Sequence, residues 1–167
     1  MIEFFREYWQ LIAFLAAAGV VLYFLSRLER KQGLPYEKRS RLLTDAELAF
    51  YRVLHSATAG DWPLFAMVRL ADLIQVKPQS TGSQTWQNKI QAKHLDFVIC
   101  DPDTLEARLA IELDDASHEK PERKARDAFV DQALGAAGLP ILRVTCAAQY
   151  DRGALRKSIR EKLGLSV

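Results

Sequence analysis

The residues with most chemistry in them occupy positions 111–118, Ile-Glu-Leu-Asp-Asp-Ala-Ser-His. The apolar run Leu109-Ala110-Ile111 leading into Glu112 reads as the start of a buried strand. Strand alternation then puts Glu112 and Asp114 on one face and Ile111 and Leu113 on the other. Two carboxylates on a face, with Asp115 beside them and His118 shortly after, repel one another and raise one another's pKa. The usual remedies are a bound cation or neighbouring guanidinium groups. Charge placed this way expects a metal ion.

A second stretch supplies a partner. Ile90 to Cys100 alternates so that His94, Asp96 and Val98 share one face, with Lys93, Leu95, Phe97 and Ile99 on the opposite one. The polar turn Asp101-Pro102-Asp103-Thr104 joins this strand to the one carrying Glu112 at hairpin spacing. Asp96 is therefore expected across from Glu112 on neighbouring antiparallel strands. An aspartate and a glutamate so placed make a hard-oxygen pocket suited to Mg²⁺ or Mn²⁺.

Other elements must hold this pair in place. Thr44-Asp45-Ala46-Glu47 is a capping box, and Ala46, Phe50, Val53, Leu54 and Ala57 follow at helical spacing. Asp61-Trp62-Pro63 breaks that helix, and Leu64 to Leu70 reads as a first strand. Residues 77–88 are polar and turn-rich and read as a loop, with Trp86 packed back onto the domain or open to stacking on a base. Pro121 fits the first turn of a helix running to about Ala137. Its expected inward face is Ala125, Phe129, Ala133 and Ala137, with Arg123, Arg126, Asp127 and Asp131 elsewhere. Gly138 ends it, and Leu139 to Val144 is a short strand expected to run parallel to a neighbour. A last helix, from about Asp151 to Leu163, turns Leu155, Ile159 and Leu163 inward. Helix, three strands, helix, strand, helix is an α/β order that predicts a mixed sheet with helices packed on it.

The chain of 167 residues has room for one domain plus a short appendage. Tyr8 to Leu25 contains no charged residue, and only Gln10 is strongly polar. Eighteen such residues make roughly 27 Å of helix, close to the thickness of a bilayer core. A cleaved signal at Ala16-Ala17-Ala18 would leave apolar sequence running on to Leu25, and a buried soluble helix would show a single apolar stripe. The expectation is a membrane anchor over residues 1–26, a basic connector over 27–43 and a folded domain over 44–167. Arg27, Arg30, Lys31, Lys38, Arg39 and Arg41 follow the apolar run and only Arg6 precedes it, which predicts a cytoplasmic C-terminal domain. Residues 1–43 hold 7 Lys/Arg against 4 Asp/Glu, and the other 124 hold 16 against 17. A nucleic-acid partner would thus need a local basic surface. Cys100 and Cys146, with no CxxC pair, read as reduced, buried core thiols.

With Asp96 on its second strand and Glu112 on its third, this order resembles the PD-(D/E)XK nuclease superfamily over roughly residues 36–150. Pro35-Tyr36-Glu37-Lys38, Leu42 to Glu47, Leu95-Asp96-Phe97-Val98, Glu112 to His118, Arg126-Asp127 and Ala137 to Arg143 are similar to a bacterial family of unknown function, the DUF2726 type. The Glu-x-Asp-x-x-x-His element is also similar to very-short-patch repair endonucleases. The resemblance implies a restriction-endonuclease-like αβββαβ core behind one transmembrane helix. It implies a divalent metal on Asp96 and Glu112, with the Leu113 carbonyl completing the shell and Glu47 nearby. The superfamily's usual motif lysine is replaced here by Asp114. Either Asp114 is then a third metal ligand with His118 as an acid/base or phosphate contact, or Arg126 or Arg143 supplies the lost positive charge.

The expected activity is metal-assisted phosphodiester hydrolysis of DNA, or second to it RNA, by a membrane-tethered protein. Its rivals are a degenerate nucleic-acid-binding module and a membrane-anchored interaction scaffold. Each residue also has a plainer reading: Glu47 as a helix cap alone, Asp115 as a turn residue, His94 on the rim, and Arg143 paired with a structural carboxylate. A zinc site from His94, His118 and the cysteines lacks ligand spacing.

Overall fold

The computed structural model describes residues 2–29, 33–114 and 121–166, with side chains described except at 2–5, 28–29 and 121–124. Two compact units divide the chain, Met1–Ser40 and Arg41–Val167. The first holds α1 (Ile2–Glu29), whose segment Arg6–Arg27 is long and apolar enough to cross a membrane by length and composition. Its 22 residues amount to about 33 Å of helix. The large apolar side chains along it, including Trp9, Phe14, Leu22 and Phe24, are exposed.

The second unit is an α/β domain with a four-stranded mixed sheet. Its elements are α2 (Asp45–Thr58), β1 (Leu64–Arg69), α3 (Ser83–Gln91), β2 (His94–Cys100), β3 (Ala107–Asp114), α4 (Pro121–Ala137), β4 (Ile141–Thr145) and α5 (Arg152–Lys162). The strands lie in sequence order, β1-β2-β3-β4. β1, β2 and β3 form an antiparallel meander, and β4 returns parallel to β3 after the α4 crossover. The hairpin between β2 and β3 is shaped by Asp101. Its Oδ1 accepts the Asp103 and Thr104 amides at 3.0 Å each, which holds the Asp101 carboxyl below its usual pKa.

Helices cover both faces of the sheet. Phe50 and Leu54 of α2, with Leu155 and Ile159 of α5, pack on Phe97, Ile99, Leu109 and Ile111. On the other face Ile90 of α3 and Val130 and Leu134 of α4 pack on Val98, Cys100 and Ala110. The central strands are therefore buried on both sides, so β2 is apolar from Phe97 to Cys100 rather than strictly alternating. Each large side chain in these layers contributes about 1.5–3 kcal/mol of burial. α2 opens on its capping box, with the Thr44 amide donating to Glu47 Oε2 at 2.7 Å and the Glu47 amide to Thr44 Oγ1 at 3.3 Å.

Four expectations need correction. Residues 83–88 are helical, not loop, because Ile90 anchors the otherwise polar segment in the core while Trp86, one turn earlier and half exposed, lines the cleft toward α4. β2 accordingly starts at His94, four residues later than expected, and Lys93 stands ahead of the strand rather than on its α2 face. The inward stripe of α4 is Val130 and Leu134, with Phe129 and Ala133 at its margin, while Ala125 and Ala137 are exposed. Of the cysteines, Cys100 is a buried free thiol whose pKa burial raises, and Cys146 is only partly buried.

In β1, Met67 adopts φ 55° and drops out of the pairing, with Ala66 opposite Phe97 and Val68 opposite Leu95 on either side. A left-handed methionine costs about 1–2 kcal/mol. It falls on the sheet-edge strand level with Asp96 on its neighbour, without shifting the register.

Candidate active site

β2 and β3 separate where the acidic residues begin. Their ladder ends at the Phe97–Ile111 pair, and the same register carried one step further sets Asp96 opposite Glu112. Alternation places both on the face of Val98 and Ala110, the side covered by α3 and α4. Past the last pair, the Asp96 side chain does the work of a backbone acceptor: its Oδ2 takes the Leu113 N–H at 2.8 Å. Strand geometry turns the Leu113 carbonyl toward that same edge.

Crowding and burial govern the charges here. Burial raises the Asp96 pKa, the Leu113 amide opposes the rise, Glu47 and Asp114 add to it, and Arg126 opposes it. Glu112 is pushed up to about 8, first by burial and then by Asp96, against the pull of Arg143 and Arg126. Both carboxyls thus lie within electrostatic reach of Arg126, which extends from the exposed side of α4.

Arg143, at the centre of β4, is engaged elsewhere. Its Nη1 donates to Asp114 Oδ1 at 2.9 Å and its Nη2 to Asp131 Oδ1 at 2.9 Å. Burial works to lower its pKa, but the bond to Asp131 and the charges of Asp114, Asp131 and Glu112 raise it on balance. Its side chain, 25% exposed, ties the end of β3 and the middle of β4 to α4.

The expected residues thus fall into groups. Asp96 and Glu112 are brought together, with Arg126 and Glu47 in electrostatic range. Glu47 serves as cap and as neighbour of Asp96 at once. Asp114 is engaged by Arg143, and among the described residues no three His, Cys, Asp or Glu side chains form a group able to hold a metal ion. Asp115 and His118 lie outside the described residues. His94 is exposed at the rim, near Asp72. Asp131 was not singled out by sequence, since a helical aspartate reads as solvated surface. The signal that was available is the pairing of Arg143 with some carboxylate.

The sequence profile of a family described as a protein of unknown function (DUF2726) matches residues 39–163. The chain belongs to the DUF2726 family. The match takes in α2 through α5 and every residue of the acidic site, so the site is part of the DUF2726 domain itself. No curated protein and no solved structure matches the chain.

Proposed function

We propose that this DUF2726 domain is a divalent-metal-dependent hydrolase of nucleic-acid phosphodiester bonds, DNA before RNA, with a restriction-endonuclease-like core. The observation that carries the reading is the meeting of Asp96 and Glu112 on one sheet face, where Glu112 is pushed up to about 8. Two half-buried carboxyls that cannot both ionise comfortably fit a hard cation, and Mg²⁺ is commonly held by one or two carboxylates with water completing its shell. Asp96, Glu112 and the Leu113 carbonyl would hold Mg²⁺ or Mn²⁺, which supplies a Lewis acid for the phosphate and a more acidic water.

The chain's own groups do the rest. The Leu113 amide fixes the rotamer of Asp96. Arg126 is the cation facing both carboxyls and takes the part of the absent motif lysine, countering charge that grows on the phosphate. Arg143 and Asp114 brace the strand end, with Asp114 available as a further metal ligand if Arg143 yields it. His118 is assigned acid/base or phosphate contact, and Glu47 a supporting carboxylate beside Asp96. The same proposal makes α1 a single-pass anchor, with the domain on the cytoplasmic side.

The test is cleavage of plasmid and single-stranded DNA with Mg²⁺ or Mn²⁺. Asp96→Asn and Glu112→Gln, which preserve shape, are expected to abolish cleavage. The rival with a specific observation behind it is a nucleic-acid binder without catalysis, because Asp114, already bonded to Arg143, stands in the lysine's place. Binding with no cleavage under either metal selects that rival. Absence of both overturns the nucleic-acid reading and leaves the scaffold.

A further inference from the structure

On the sheet face that carries Asp96 and Glu112, α3 and α4 flank an open groove of about 420 Å³. Ile74, Ile90, Ala133 and Ala137 are among its apolar lining residues, and Trp86 and Phe129 are its aromatic ones. Trp86 remains 46% exposed. Lys89 Nζ lies 4.4 Å from the Trp86 ring centre and 5.6 Å from that of Phe129, and Lys93 Nζ lies 5.3 Å from Phe129. Lys77 adds a third ammonium, and no carboxylate is among the described residues that line it. Phe129 stands one helical turn beyond Arg126 on α4, and Lys93 three residues before Asp96.

We infer that this groove is a subsite for a single-stranded stretch of nucleic acid, with a base stacked on Trp86 and the backbone phosphates on Lys89 and Lys93. Flat apolar rings ringed by ammonium groups match a ligand that alternates flat bases with negative charge. An acidic or apolar peptide would satisfy only half of that surface. The inference rests on the nucleic-acid reading of the acidic pair and adds that the strand leaves it across the α3–α4 face, unpaired.

The test is fluorescence anisotropy of the full chain in detergent with a labelled oligothymidylate of roughly 16 nucleotides. EDTA is present, so that cleavage plays no part. The single strand is expected to bind more tightly than the matching duplex. Trp86→Ala should weaken it about 5- to 150-fold, with Trp86→Phe recovering most of the loss. Lys89→Ala with Lys93→Ala should flatten the salt dependence by about 0.7 per lost contact. Binding is read without metal, so its loss in Trp86→Ala and the presence or absence of cleavage are scored separately, which separates this subsite from the hydrolase proposal. Wild-type affinity in a folded Trp86→Ala chain overturns the inference even if cleavage is confirmed. Failure of every oligonucleotide to bind at low salt overturns it too, and gives the groove to a protein partner.

Discussion

Glu112 holds a proton at pH values where a solvated glutamate has long lost it. Its pKa rises from 4.5 to about 8 in the folded chain because burial and Asp96 disfavour its charge. The folded state then binds more protons than the unfolded state between those values, so stability is fullest below about pH 4.5 and declines as pH rises toward 8. Asp96, also raised, acts in the same direction. Thermal unfolding followed from pH 5 to 9 should show this decline in the wild type and a flatter course in Glu112→Gln. Excess Mg²⁺ at pH 8 should restore stability to the wild type alone, by about 2.7 kcal/mol at a hundredfold over Kd. A wild-type midpoint indifferent to both pH and Mg²⁺ would count against the site. Asp96 and Glu112 were legible in sequence because a period of two and a short hairpin fix which residues face each other. Asp131 was not, because nothing local to a helix says which distant strand its carboxylate will meet.

At the scale of elements, α2 announced itself through Thr44 and Glu47, whose bonds depend only on residues three apart. α3 did not. Its N-terminus is a left-handed Gly82 without a side-chain cap, and its only apolar residues are Trp86 and Ile90. A helix whose order comes from packing rather than from its own signals looks like a loop in sequence, and that error moved Lys93 to the wrong side of the sheet. Glu47 is the residue through which an element's stability and the site's chemistry can be separated. Glu47→Gln keeps an acceptor for the Thr44 amide and should leave the melting temperature nearly unchanged, whereas Glu47→Ala should cost about 1 kcal/mol. If Glu47 also supports Asp96, Glu47→Gln should still slow cleavage several-fold. Equal rates for Glu47→Gln and wild type would return Glu47 to capping alone.

Across the whole molecule, the division into Met1–Ser40 and Arg41–Val167 separates an apolar helix from the matched family domain. The hairpin of β2 with β3 and a parallel β4 were readable, because short connections and a helical crossover leave few topologies open, but which strand β4 lies beside was not. The burial of β2 and β3 on both faces was less so, since a continuous apolar run does not declare how many layers cover it. If α1 spans a bilayer, the protein should stay with membranes through alkaline carbonate extraction and be released by detergent. Its appearance in the carbonate wash would reject a spanning helix. One further consequence follows from the left-handed backbone at Met67 on the edge strand β1. Were α1 to hold the molecules in a shared membrane plane, they would meet far more often than free ones, and an uninterrupted outer rim would let them zip into ribbons. A left-handed step in the middle of the β1 rim makes that edge a poorer template for such pairing.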